Sequence, residues 1–157
     1  MTDLHRSVLA RAAMLGLAAG GRSTAGLVAL ASSTSHHGYA PQPLAALSSR
    51  AGTRTLQVMG LGEAVADKLP WTPSRLHLPA LTGRLAAGAL GGWVLAQRED
   101  VARWAPAVVG AAASGLGSVL GTRWRAAAGG RGVPDTVAAL VEDGVVTALA
   151  LAAARRF

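Results

Sequence analysis

Residues 104–121 read WAPAVVGAAASGLGSVLG, eighteen consecutive positions without a charge. At 1.5 Å of rise per residue, about 20 apolar residues in a helix cross the hydrocarbon core of a bilayer. The stretch has no polar stripe at helical spacing. It carries only Ser114 and Ser118, whose hydroxyls can bond back to their own backbone. A helix that is apolar all round is enclosed either by a large protein core or by lipid.

Four further apolar stretches flank this one. They run from about Val8 to Ser32, broken by Arg11 and by Gly20-Gly21-Arg22-Ser23; from Thr53 to Leu69, with Glu63 and Asp67; from Pro79 to Gln97, with Arg84; and from Pro134 to Ala154, with Glu142 and Asp143. A chain of 157 residues, 15% of them charged, has too little polar surface to wrap so many apolar helices. A mean hydropathy of +0.36 points the same way. The reading is an all-α, polytopic transmembrane bundle of about five helices in a single membrane domain, residues 1–157. The second stretch is marginal in length: either it starts earlier, near Leu44, or it is a short, broken or re-entrant helix. Ala and Leu prevail over β-branched residues and no two-residue alternation appears, which excludes a transmembrane barrel.

Boundary signals agree with these limits. Pro70 and Pro73 follow the second stretch, Pro79 opens the third, and Pro106 and Pro134 stand in the first turns of the fourth and fifth. Trp71, Trp93, Trp104 and Trp124 sit near helix ends, where an indole prefers the interface. Residues 32–54 form the one long polar connection, with His36-His37, Pro41 and Pro43. Two adjacent histidines without a third ligand make no metal site. Ala29-Leu30-Ala31 resembles a signal cleavage site, yet the break at Gly20–Ser23 interrupts the apolar core such a signal needs, so retention is expected.

The net charge of +7 comes from 14 Arg and the single Lys68 against eight acids, with a pI near 11.6. The arginines stand singly between apolar runs, without a basic face or interleaved aromatics, so nucleic acid is not an expected partner. They suit the ends of membrane segments. Five crossings would place eight basic residues on the N-terminal side against six opposite, which puts the N-terminus in the cytoplasm. The absence of Cys excludes disulfides, thiolate metal sites and cysteine catalysis.

Lipid tails give helices no hydrophobic reason to associate, so small residues must allow close approach. Gly16 with Gly20, Gly88 with Gly92, and Gly117 with Gly121 each form a G-x-x-x-G pair in a different stretch, and Ala113 extends the third. These ridges pack helices of the same chain or of another copy. A small-residue helix followed by a carboxylate helix occurs twice, in stretches one and two and again in four and five. With five crossings the two pairs would be inverted repeats.

Charges within apolar stretches cost about 2.5–3.5 kcal/mol each at a helix centre on the insertion scale. Glu63, Asp67, Glu142 and Asp143 are therefore the ion- or proton-binding candidates, with Arg22, Arg84 and Lys68 as counter-charges. Glu63 and Asp67 share one helix face, four residues apart. One reading makes these groups structural ion pairs that fix helix register; the other makes the carboxylates part of a path for a proton, cation or small solute.

At these residues the chain resembles the DUF4126 family of small bacterial membrane proteins. The likeness rests on Gly21-Arg22-Ser23, on Gly62-Glu63-Ala64-Val65-Ala66-Asp67-Lys68-Leu69-Pro70 with Pro73-Ser74-Arg75, on Gly83-Arg84 with Gly88-Ala89-Leu90, and on Glu142-Asp143. It spans about residues 10–154. Arg50 and Arg54 depart from the pattern by shortening the apolar lead into the second helix. The resemblance implies a multi-pass protein of the bacterial inner membrane and supplies no activity. The expected function is binding or translocation of a small ion or solute through buried carboxylates, without cofactor or metal. The alternative is an assembly module that packs through its glycine ridges, against itself or a larger complex. No nucleophile–base pair or phosphate loop suggests an enzyme.

Overall fold

The computed structural model describes residues 3–34, 41–66 and 77–155, with backbone alone for 64–66. The regular elements among them are all helices: α1 (Asp3–Gly21), α2 (Ala25–Ser33), α3 (Leu44–Ser48), α4 (Arg50–Ala66), α5 (Leu78–Arg98), α6 (Trp104–Gly129) and α7 (Asp135–Ala154). The all-α class holds. The helices α5, α6 and α7 follow the third, fourth and fifth apolar stretches, although α6 runs on past Gly121 through Arg123 and Arg125 because Ala126–Ala128 sustain it.

The first apolar stretch is the main correction. It is two helices folded back on each other, not a single interrupted span. Gly26 lies against Leu15, where an added Cβ would stand 3.3 Å from the Leu15 carbonyl oxygen. Eleven residues along one continuous helix would be about 16 Å apart. At the far end of α2, the Ser33 hydroxyl accepts from Arg98, while Arg11 of α1 pairs with the adjacent Glu99 at 3.2 Å. The chain thus rises along α1, turns at Arg22–Thr24, and returns along α2.

A second correction concerns the connection expected over residues 32–54. Its latter half is helical, as α3 and the first turn of α4. The Ser49 hydroxyl accepts from the Gly52 amide, capping α4 in place of a loop. Helix starts at Leu44 and again at Arg50, so the second apolar stretch does begin early.

Directions of the remaining helices follow from their contacts. The Leu27–Leu56 contact and the bonds from Ser23 to Glu63 make α4 antiparallel to α2. Arg84 meets Gly20 whereas Gly91 meets Leu15, so α5 descends beside α1. Gly16 faces Gly110, and Gly20 faces Ser114–Ser118, so α6 rises parallel to α1. Finally Gly21 meets Glu142 while Arg11 Nε donates to the Ala153 carbonyl at 2.8 Å, so α7 descends. The start of α1 and the end of α7 lie at one end of the bundle, where five successive crossings would have separated them. The parallel run of α1 and α6 also removes the inverted repeat, since a two-fold axis in the membrane plane would set them antiparallel.

All three glycine ridges close within the chain, around α6. An added Cβ at Gly20 would come within 2.5 Å of the Ser114 carbonyl and the Ser118 amide, and one at Gly117 within 2.5 Å of the Leu17 carbonyl. On the other side Gly88 backs onto Gly110 and Ser114, and Gly92 onto Pro106. Gly16 completes the first seam against Gly110 and Ala113, and Gly121 is buried. Gly110, a partner to both Gly16 and Gly88, is the seam residue that the G-x-x-x-G search missed.

On α6 and α7 side chains sort largely by size. The buried face of α6 is Pro106, Ala107, Gly110, Ala113, Ser114, Gly117, Ser118 and Gly121, while Trp104, Val108, Leu116, Leu120 and Trp124 point outward at intervals of four or eight residues. Likewise α7 buries alanines and Glu142 and exposes Val137, Leu140, Val141, Val145 and Leu151. A water-soluble bundle does the reverse with its large apolar side chains. Trp104 also stacks edge-on against Trp93, with ring centroids 5.1 Å apart.

These seams make a contrast that stability measurements can read. Gly20→Ala forces α1 off α6 and is expected to cost about 1–3 kcal/mol. Gly144→Ala, whose Cβ would meet nothing within 4 Å, is expected to be neutral or to stabilise by up to about 1 kcal/mol. Thermal unfolding in detergent should order the variants Gly144→Ala ≥ wild type > Gly20→Ala.

Candidate functional site

A turn between two helices leaves backbone groups open at both sides: carbonyls at the end of the first and N–H groups at the start of the second. The end of α1 and the start of α2 meet this problem at Gly20–Thr24, inside the bundle. Each side is satisfied by a charge of the sign its helix dipole favours. Arg84 from α5 places Nη1 at 2.7 Å from both the Gly20 and the Gly21 carbonyls. Glu63 from α4 takes the other side. Its Oε1 accepts from the Ser23 amide at 2.9 Å and hydroxyl at 2.7 Å, and its Oε2 from the Thr24 amide at 3.3 Å and hydroxyl at 3.0 Å. The two charges also face each other, with Arg84 Nη2 3.6 Å from Glu63 Oε1.

The serines of α6 join this layer. Ser118 donates to the Gly20 carbonyl at 3.3 Å and to its own Ser114 carbonyl at 3.0 Å, while Ser114 donates to the Arg84 carbonyl at 2.7 Å. Only Ser118 therefore returns to its own helix. Next to the turn, Arg22 Nε donates to Asp143 Oδ1 at 2.8 Å, and Nη2 makes the parallel bond to Oδ2. Glu142 lies on the other side, buried over Gly21, with Arg125 Nε 3.5 Å from its Oε2. Arg125 also reaches Asp135 at 2.9 Å.

Of the expected pairings, Arg84 with Glu63 is present. Arg22 is not a partner of Glu63: the fold-back turns its side chain towards α7 and Asp143. Asp67 and Lys68 lie outside the described residues, as do His36 and His37. Sequence reasoning missed Arg125, taken only as a flanking charge. It also missed Arg11, which is buried and holds the end of α7 through Ala153 and the end of α5 through Glu99. The signal for Arg11 was present, as a charge at the fourth position of an apolar stretch. Among the described residues no three acidic or histidine side chains gather to hold a metal ion.

The layer meets α7 at Glu142 and Asp143, the eighth and ninth of its 20 residues, and α6 at Ser114 to Ser118, near the middle of its 26. The hairpin tip therefore stands at mid-height. Clefts open beside it: one of about 420 Å³ lined by Ser23, Met59, Glu63, Ala80 and Arg84, and one of about 530 Å³ lined by Arg22, Thr24, Gln57 and Thr147.

These features define a helical bundle built on a folded-back hairpin whose tip carries a charged cluster at half height. The chain belongs to the family described as "Domain of unknown function (DUF4126)", whose model matches residues 9–155. That span covers the hairpin tip, the Glu63–Arg84 pair and Asp143 alike. Neither a curated protein nor a solved structure matches.

Removal of Glu63 takes a buried carboxylate from Arg84 and from the start of α2. Glu63→Ala is expected to cost about 3–5 kcal/mol, the range for one half of a buried ion pair. Glu63→Gln keeps an acceptor oxygen for Ser23 and should cost clearly less. Denaturation of the two variants in one detergent checks the order.

Proposed function

We propose that the chain is a multi-pass membrane protein that binds a small cation or proton at Glu63 and passes it across the bilayer. Two helices, Trp104–Gly129 and Asp135–Ala154, are long and apolar enough to cross a membrane, and well under half of the residues in the apolar part of each are buried. That low share suits helices that face lipid on one side, and the outward Val, Leu and Trp side chains support the same reading. In this arrangement α5, α6 and α7 cross, while α4 rises from the end that holds the start of α1 to the tip. The hairpin α1–α2 enters and leaves on one side, since α2 with nine residues, about 13 Å, is too short to span. Of the described arginines, Arg6, Arg11, Arg50, Arg54, Arg98, Arg103 and Arg155 belong to the end that holds both termini, against Arg123, Arg125 and Arg131 opposite. The excess of positive charge assigns the terminal end to the cytoplasm.

The observation that carries the functional reading is the carboxylate of Glu63 at a helix break half-way through the bundle. Ionisable groups at that depth mark ion and substrate paths, and broken helices supply such sites with backbone partners. When Glu63 takes up a cation or proton, its hold on Arg84 and on the start of α2 weakens. The tip can then move relative to α4 and α5, beside which the 420 Å³ cleft opens. An assembly role through the glycine ridges has less support, because the seam contacts of those ridges lie inside the chain.

Proteoliposomes test this reading. Wild type is expected to carry a proton or alkali-cation flux that Glu63→Gln lowers at least tenfold and Gly144→Ala leaves unchanged. Absence of flux in the folded wild type, or equal flux in Glu63→Gln, contradicts it.

A further inference from the structure

Thr24 is buried, and its hydroxyl lies 3.0 Å from Glu63 Oε2. Among the described residues it alone lines both clefts beside the hairpin tip. The cleft of about 420 Å³ holds Glu63 and reaches along α5 to Pro79, at the start of that helix. It therefore leads towards the end of the bundle opposite the termini. The cleft of about 530 Å³ runs the other way, from Thr24 down α2 to Ser32 and down α7 to Leu151. From Thr24 to Ser32 that is eight residues, about 12 Å towards the terminal end. Gln57 and Thr147 add polar groups to its wall. Gly60 of α4 lines the same cleft, and an added Cβ there would stand 3.1 Å from Thr24 Oγ1. Glycine at this position keeps the helix backbone close and leaves the hydroxyl uncovered.

The groups around Glu63 select among the ions that reach it. Each carboxylate oxygen faces one amide and one hydroxyl, and Arg84 Nη2 stands 3.6 Å from Oε1. An amide offers a hydrogen and no lone pair, so an alkali cation at either oxygen would meet positive hydrogens and a guanidinium. A proton needs a single lone pair. A hydroxyl both donates and accepts, and passes a proton on by rotation.

We infer that the Thr24 hydroxyl relays protons between the two clefts, so that the ion passed is a proton and not an alkali cation. This rests on passage at Glu63 and adds the partner that completes it. A hydronium ion in the Glu63 cleft gives one proton to the carboxylate and becomes water. The Thr24 hydroxyl then turns its hydrogen towards the cleft beside α7 and accepts from Oε2. As the Oε2–H bond breaks and a new Oγ1–H bond forms, the original hydroxyl proton leaves for water in the second cleft. Glu63 is again an anion, and rotation of the hydroxyl restores its bond to Oε2.

Proteoliposomes of the full chain read the two ions separately, protons with a trapped pH-sensitive dye and rubidium as a tracer at equal pH on both sides. Wild type is expected to pass protons and no rubidium. Thr24→Val, close in size and without the hydroxyl, should lower proton flux at least tenfold, and Thr24→Ser should restore most of it. Gly60→Ala presses a methyl group on the hydroxyl without removing it and should lower proton flux severalfold, which keeps the test open if Thr24→Val fails to fold. Rubidium flux in wild type, or proton flux within twofold of wild type in Thr24→Val or Gly60→Ala, overturns the relay while the role of Glu63 stands. Absence of both fluxes in the folded wild type overturns the two together.

Discussion

The structure depends on how a chain can reverse direction inside an apolar bundle. Reversal at Gly21–Thr24 opens carbonyls on α1 and amides on α2, and unmatched groups in such a place cost several kcal/mol. Arg84 answers the carbonyls and Glu63 the amides. Because the two charges come from α5 and α4, satisfying the turn also fixes where those helices stand. Because they are opposite and adjacent, each offsets the charge of the other. Arg22 and Asp143 tie the same point to α7. One local requirement thus sets the relation of five helices.

Around that layer the bundle is held by close backbone approach. Small residues on α1 and α5 grip opposite sides of α6, near enough that a methyl group at Gly20 or Gly117 has no room. On α6 and α7 the large apolar side chains consequently lie mostly outside, where they form the face that the proposed bilayer would cover. Polar groups at half height and apolar ones at the periphery are two consequences of the same solvent condition. In lipid, internal hydrogen bonding and tight van der Waals contact supply what burial of leucines supplies in water.

Helix limits were legible because apolar runs and prolines mark them: α5, α6 and α7 lie within a few residues of the stretches read from composition, Gly121 excepted. The Glu63–Arg84 pair was legible too, since a buried carboxylate needs a cation and few were on offer. The fold-back was not. Gly20-Gly21-Arg22-Ser23 reads as a kink or as a turn, and only the long-range contacts of Gly26 with Leu15 decide between them. Which of the four carboxylates Arg22 would meet, and the parallel run of α1 with α6, could therefore not be foreseen. The polarity of residues 32–54 suggested a loop, whereas the tertiary packing of Leu44 and Leu56 draws much of it into helix. Composition reports solvent preference; it does not report which way a chain turns.

The central claim is that α1 and α2 enter and leave on one side. With no native cysteine, single replacements at Ser7, Ser32 and Gly130 can be probed with a membrane-impermeant thiol reagent in sealed vesicles of known orientation. The account requires Ser7→Cys and Ser32→Cys to react from the same side and Gly130→Cys from the other. Labelling of Ser7→Cys and Ser32→Cys from opposite sides would contradict it.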